Sequence, residues 1–374
     1  MDGIPLPASL KLLASLLGEA LGGPLLPTIT IDEQLVCLAS HRHFVGPLLF
    51  AAAEKGRHTI AHEQLEKLKQ TYLLNAARQK SALDVLHKIA AKFGASRIEW
   101  MTIKGATQAA RLYPDPAWRD SADIDLLVPP REFARAVDAL IKLDFIASNP
   151  PMPRAGVFRE PILNAVRDVT FIARDDRTCA VELHRRLFFA NGKRAGLHLE
   201  TTPGILPMPR TGPELAFYLI AHGALSFWVR LKWLIDLVPL FAQLSDAEKL
   251  SIIEHARFAR AENSIAASLL LLHALFPFVS LGGLYAWLEQ KEKEASVKRR
   301  LARYADMIGR DRDWKLSPLD NALIALQANW LVFEAPSTRA RILMSAAPSS
   351  LARKIAGSLM KSDRALTQSE EPSR

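Results

Sequence analysis

Cysteine is nearly missing from this chain. Cys37 and Cys179 are the only two in 374 residues and stand far apart, which leaves no disulfide framework and no cysteine-based zinc site. A reducing cytoplasm fits that usage. Aromatic residues make up only 7%, and no arginine-rich run is interleaved with them, so an aromatic platform for nucleic acid is disfavoured although not excluded. Met1-Asp2-Gly3 supplies no basic leader, and Pro5 and Pro7 interrupt the apolar stretch behind it, so no cleavable signal is expected. The longest segment without Asp, Glu, Lys or Arg is 263–288. Pro277 and the Gly282-Gly283 pair divide it into pieces too short to span a bilayer, and two buried helices with a turn between them are expected. Neither His184 nor His222 sits near a serine or cysteine in a nucleophile pattern, which disfavours hydrolase triads, and no internal repeat is found.

What is present is ordinary for a globular protein: 49% hydrophobic and 23% charged residues. The formal charge of +9 favours anionic partners. The patterning predicts an α+β chain that is mostly α. Its expected parts are an N-terminal helical region (1–94), an α/β core (95–211), a C-terminal helical region (212–361) and a polar tail (362–374). Asp32 is expected to cap a helix running to about Lys55, and a second helix to cover 62–93. The core then reads as strand 97–103, helix 105–113, strand 122–128, helix 131–143 and a short strand near Phe145. A proline-rich loop over 149–161 and a hairpin of 166–173 with 179–184, turning at Arg174-Asp175-Asp176-Arg177, follow. On that hairpin, Val169, Phe171, Val181 and Leu183 share the core face, and Asp168, Thr170, Glu182 and His184 share the other.

The chemistry concentrates in two short runs. Ile103-Lys104-Gly105 ends a strand at a glycine before a helix, a geometry suited to phosphate. Ser121-Ala-Asp123-Ile-Asp125-Leu-Leu-Val128 puts two carboxylates two residues apart on a strand. They point to one side while Ile124, Leu126 and Val128 point to the core. Like charges so close repel, and a bound divalent cation would remove the penalty. Lys104-Gly105-Ala106, Leu112-Tyr113-Pro114-Asp115-Pro116, Arg119 and Asp123-Ile-Asp125 together resemble one branch of the DNA polymerase β-like nucleotidyltransferases. That branch is a largely uncharacterised bacterial nucleotidyltransferase family. Val181-Glu182-Leu183-His184 looks like its acid-Leu-His strand, and His222-Gly223-Ala224 through Asp236 looks like its helical signature.

The resemblance implies a Mg²⁺-dependent transferase that moves an NMP, or a related phosphate-linked group, from a nucleoside triphosphate or nucleotide-sugar donor to a hydroxyl or phosphate acceptor. ATP binding is expected. Two Mg²⁺ ions, or Mn²⁺ in their place, would sit on Asp123, Asp125 and Glu182 as the metal-binding and catalytic acids, with Asp168 the competitor for the third place. Nucleotide-binding residues would be Lys104, Gly105, Arg119, His184, Arg230 and Lys232, while Lys104 or Arg119 could instead neutralise Asp123 or Asp115 structurally. The helix expected from Trp228 to Phe241 would wall the pocket, with Trp228 or Trp233 near a base. Its competing reading pairs Lys232 with Asp236 across one helical turn on a solvated face. Ala106 stands where other members of the superfamily carry a phosphate-touching serine. The acceptor could be a small molecule, a peptide, a protein or tRNA. A non-catalytic nucleotide sensor with the same fold is the alternative from another class.

Overall fold

In the computed structural model the described residues are 4–121, 123–152, 157, 159–174, 179–186, 212–310, 332 and 354. The fold is α+β and mostly α. The N-terminal region holds helices α1 (Ala8–Ala20), α2 (Glu33–Cys37), α3 (Gly46–Glu54) and α4 (His62–Ala95), with a two-stranded parallel pair of β1 (Thr30–Ile31) and β2 (Thr59–Ile60). Asp32 caps α2 by accepting from the Leu35 N–H at 2.8 Å. The helix expected to run on to Lys55 is broken. A π-helical turn over Leu38–Arg42 and a left-handed Phe44 (φ 53) separate α2 from α3, and Pro47 sits in the first turn of α3. The small β1–β2 pair carries no sequence pattern of its own.

The α/β region follows as β3 (Met101–Lys104), α5 (Ala106–Leu112), β4 (Asp123–Leu127), α6 (Phe133–Ile141), β5 (Phe145–Asn149), α7 (Arg159–Ala165), β6 (Asp168–Ala173) and β7 (Ala180–His184). The five strands lie in the order β3-β4-β7-β6-β5, and only β4 and β7 run parallel. Their register sets Asp125 beside Glu182 and Leu127 beside His184, and the antiparallel β6–β7 register sets Asp168 beside His184. The first strand is shorter than expected, beginning at Met101 after a left-handed Arg97. The hairpin faces are as the alternation predicted: Val169, Phe171, Val181 and Leu183 are all fully buried. The tip of that hairpin, most of the proline-rich loop and the expected tail lie outside the described residues.

The C-terminal region comprises α8 (Pro213–Leu225), α9 (Leu231–Ile235), α10 (Leu237–Gln243), α11 (Asp246–Ala259), α12 (Glu262–Leu275), α13 (Leu284–Lys291) and α14 (Ala295–Ile308). A Ser245/Glu248 capping box opens α11. The helix expected over 228–241 is two pieces. Pro239 cannot donate a backbone bond and crowds the carbonyl one turn back, so the chain kinks at Asp236. Upstream, Phe227 and Trp228 take left-handed backbone (φ 50 and 54), folding the Trp228 ring back onto Gly223. A Cβ at Gly223 would meet that ring at 2.3 Å, so only glycine fits there. The uncharged segment 263–288 resolves into α12, a turn and the start of α13. Among the described residues no helix is long and apolar enough to cross a membrane.

The sheet separates two cores. One face packs Ile124, Leu126, Val128, Phe171 and Leu183 against α6 and the C-terminal half of α4, notably Leu86, Ile89 and Phe93. The other face contributes Ile103 to a larger cluster shared by the N-terminal helices α1 and α3 and the C-terminal helices from α8 onward. The two terminal regions therefore bury apolar surface in common, the main source of stability for a chain this long.

The long α4 also carries a polar duty. Asn75 is fully buried, its Nδ2 donates to the carbonyls of Ala117 and Arg119 (both 2.8 Å), and its Oδ1 accepts from the Ser121 N–H (3.2 Å). Gln79 adds a second donor to the Arg119 carbonyl at 2.9 Å. These bonds pin the loop that delivers Asp123. Asn75→Ala removes three of them and strands buried backbone groups, so it is expected to cost roughly 1–3 kcal/mol of stability, read as a lowered urea midpoint. An unchanged midpoint would contradict this role.

Candidate active site

The carboxylates gather on the sheet face opposite α6, because Asp123 and Asp125 alternate with the core residues Ile124 and Leu126. Asp125 is fully buried, and Asp123 is half-buried. An irregularity between Thr102 and Lys104 in the β3–β4 pairing sets Lys104 opposite Asp125, with Nζ 3.4 Å from Oδ1. Gly105 follows with φ 95, and a Cβ there would sit 3.0 Å from the Asp123 carbonyl oxygen. Left-handed backbone and close approach to β4 thus both require glycine. The helix after it, α5, is seven residues long.

From β7, Glu182 and His184 reach the same point. His184 Nε2 lies 3.1 Å from Asp125 Oδ1 and 3.5 Å from Glu182 Oε2, while its Nδ1 is 3.8 Å from Asp168 Oδ2. Asp168 itself is engaged by the neighbouring Arg167 Nε. One ligand atom each from Asp125, Glu182 and His184 lies within 4.8 Å of the others, and Asp123 and Asp168 fall outside this group. Between the two candidates for a third carboxylate, Glu182 therefore stands beside Asp125 and Asp168 stands behind His184.

Electrostatics explains the arrangement. Burial works against the Lys104 ammonium, but the carboxylates of Asp125 and Asp123 outweigh it and hold its pKa above the usual lysine range. Burial likewise opposes charge on His184, and its bonds to Asp125 and Glu182 prevail, raising its pKa. His222 of α8 goes the other way: burial, with Lys104 and Arg167 nearby, drives its pKa well below normal. Even so, Asp125 Oδ2 is buried without a hydrogen-bond partner. A bare buried carboxylate oxygen is costly. A divalent cation would satisfy it, and the two carboxylates with the imidazole beside them make a donor set that fits one. The residues present fit such an ion.

The expected basic residues divide. Arg119, read from the sequence as a phosphate contact or a structural partner of Asp123 or Asp115, is buried with its guanidinium on Asp236: Nε is 2.9 and 3.0 Å from the two carboxylate oxygens, and Nη2 is 2.9 Å from Oδ2. Tyr113 Oη donates to the same carboxylate at 2.8 Å. Asp236 thus faces Arg119 rather than Lys232, and the expected one-turn pair does not form, because the kink at Asp236 turns its carboxylate to the sheet side. Trp228 is wholly enclosed, its Nε1 donating to Ser268 Oγ at 2.9 Å, so it walls no pocket. Trp233 packs edge-on against His222, with ring centroids 5.7 Å apart.

Arg230 and Lys232 lie at the start of α9, and Lys232 feels the charges of Asp123 and Lys104. Burial lowers the Lys232 pKa with help from Arg119, while Asp120 and Asp123 act in the opposite sense. Among the described residues no carboxylate lies within ion-pair distance of its ammonium. Both cations rest on Phe44, with Arg230 Cζ 4.2 Å and Lys232 Nζ 5.2 Å from the ring centroid. Neither Phe44 nor Asn75 was singled out from the sequence. An isolated aromatic between helices and an asparagine in a helical run carry no distinctive spacing, and only the buried polar position of Asn75 on α4 offered a signal.

A family model described as an uncharacterised nucleotidyltransferase matches residues 30–277, a span that takes in the sheet, the acids and the helices facing them. The chain belongs to that family and is, in general terms, a nucleotidyl-transferring enzyme. No curated protein and no solved structure matches it.

Removing Arg119 would leave the Asp236 carboxylate buried and uncompensated. Arg119→Ala is expected to cost about 3–5 kcal/mol in urea denaturation, whereas Lys232→Ala should shift the midpoint by less than about 1 kcal/mol. Equal effects of the two substitutions would contradict the division between a structural and an unpaired cation.

Proposed function

We propose that the protein is a Mg²⁺-dependent nucleotidyltransferase that moves an NMP, or a related phosphate-linked group, from a nucleoside triphosphate or nucleotide-sugar donor to a hydroxyl or phosphate acceptor. ATP is the first donor to test. The observation that carries this reading is the fully buried Asp125 set beside Glu182 on adjacent parallel strands, with one Asp125 carboxylate oxygen left bare. Asp125 and Glu182, with Asp123 from the same face and His184 beside them, would hold the metal. Bound there, the metal would supply Lewis-acid charge at the transferring phosphorus and lower the pKa of the acceptor oxygen.

The remaining work falls to the chain. In the transfer, the acceptor oxygen bonds to the α-phosphorus while the bond to pyrophosphate or the sugar phosphate breaks. A hydroxyl acceptor gives its proton to a carboxylate. Glu182 suits that task as the more open acid, its side chain about one-third exposed against none for Asp125. Lys104 offsets part of the acids' charge in the absence of ligand and would be free to turn to phosphate when a cation takes over that charge. Lys232 and Arg230 oppose it from the helical side and suit the outer phosphates of a donor. A cytoplasmic setting agrees with the two free cysteines, one exposed and one buried.

The test is release of pyrophosphate and labelling of an acceptor pool with α-labelled nucleoside triphosphates in Mg²⁺. Asp123→Asn, Asp125→Asn and Glu182→Gln should each lower turnover by at least about a hundredfold while keeping the fold. Asp125→Asn should hold or raise thermal stability, since it relieves the repulsion between Asp125 and the neighbouring carboxylates. Full turnover in Asp125→Asn would overturn the reading, and metal-dependent nucleotide binding without turnover by the native chain would leave a nucleotide sensor instead.

A further inference from the structure

The two cations on α9 are held by a piece of chain far upstream. Arg230 Nη1 donates to the Arg42 carbonyl (2.8 Å), the Leu231 N–H donates to His43 Nδ1 (3.2 Å), and the Lys232 N–H donates to the His43 carbonyl (3.3 Å). Residue 43 thereby satisfies two of the free amide groups at the helix start. Burial, with Arg42 and Arg230 close by, lowers the His43 pKa to about 3, so Nδ1 stays an acceptor at neutral pH. Next in the chain, Phe44 takes a left-handed backbone, φ 53, a conformation that is strained for an aromatic residue. The strained turn aims the ring at Arg230 and Lys232. The negative face of the aromatic ring supports the Lys232 ammonium without neutralising it, where a carboxylate in the same place would close an ion pair and remove that charge from use.

We infer that Phe44 is a positioning residue of the donor-phosphate subsite, an aromatic rest supplied by the N-terminal helical region that holds the Lys232 ammonium charged and in place for a polyphosphate. Phe44 touches the cations and acts through them. The inference deepens the reading above and depends on it, since it takes the cleft to receive a nucleoside triphosphate. It also assigns the region before the sheet a share in the site.

The experiment is calorimetric titration of the full chain with sodium tripolyphosphate in Mg²⁺ buffer. It compares the native protein with Phe44→Leu, Phe44→Trp and Lys232→Ala. Phe44→Leu keeps apolar bulk and loses the ring face, so its affinity should fall about fivefold or more, while Phe44→Trp should stay within about twofold of the native value. Lys232→Ala should weaken binding about tenfold. If Phe44→Leu does not fold, Phe44→Met takes its place with the same expected loss. Native affinity in Phe44→Leu or Phe44→Met, alongside weakened Lys232→Ala, would overturn the inference and leave the donor site standing. So would loss of affinity in Phe44→Trp equal to that in Phe44→Leu, since the position would then answer to bulk and not to the ring face. Native affinity in Lys232→Ala, or no binding by the native chain, would overturn the reading of the donor site itself and the inference with it.

Discussion

Asp125 is the constraint around which the molecule is arranged. A carboxylate with no exposed surface is placed beside a second one, Glu182, by the parallel pairing of β4 and β7. Burying an unpaired charge costs several kcal/mol, and the chain offsets this with Lys104 from a bulged strand and with His184 from the next pair of residues. The offset is incomplete, because Asp125 Oδ2 keeps no hydrogen-bond partner. A fold that served stability alone would place an apolar residue there, as it does at Ile124 and Leu126 on either side. The cost is sustained by Asn75 and Gln79, which fix the entering loop, and by the two cores that clamp the sheet from both faces.

A second buried charge, Asp236, performs a different task. With Arg119 and Tyr113 it joins the loop before β4 to the kink between α9 and α10, and so fixes the helical layer over the carboxylates. All of its charge is matched by direct bonds. The contrast separates structure from chemistry in this molecule: Arg119 and Asp236 neutralise each other, whereas Lys104, Lys232, Asp125 and Glu182 are held near one another with charge to spare. A shift in α9 would move Arg230 and Lys232 relative to the acids, and the bonds from Arg42 and His43 to the start of that helix resist such a shift.

Much of this was legible in the sequence where period-two alternation governs. Asp123 and Asp125, and the hairpin faces that set Glu182 and His184 apart from Val181 and Leu183, follow from counting residues along strands. So does the glycine at 105. The long helix α4 and the broken apolar segment 263–288 were readable from spacing and from Pro277 with its glycines. Reading failed where local propensity yields to tertiary packing. The run 228–241 has a helical stripe, but Trp228 closes onto Gly223 and Pro239 kinks the chain, which moves Asp236 from a supposed partnership with Lys232 to Arg119. For Arg119 the sequence left a phosphate contact and a structural ion pair both open, because it gives the charge and not the burial, and the partner is Asp236 rather than Asp123 or Asp115. Phe44 lies in a connection whose role depends on a helix almost two hundred residues away, a relation no local pattern encodes.

A divalent cation held by Asp125 and Glu182 would take over the charge that Lys104 now offsets. Anomalous scattering from crystals grown in Mn²⁺ measures this directly. The expected peak touches carboxylate oxygens of both Asp125 and Glu182, at roughly 2.0–2.3 Å, with the Lys104 ammonium moved away from Asp125. A peak confined to another part of the molecule, or none with Lys104 still paired to Asp125, would contradict it.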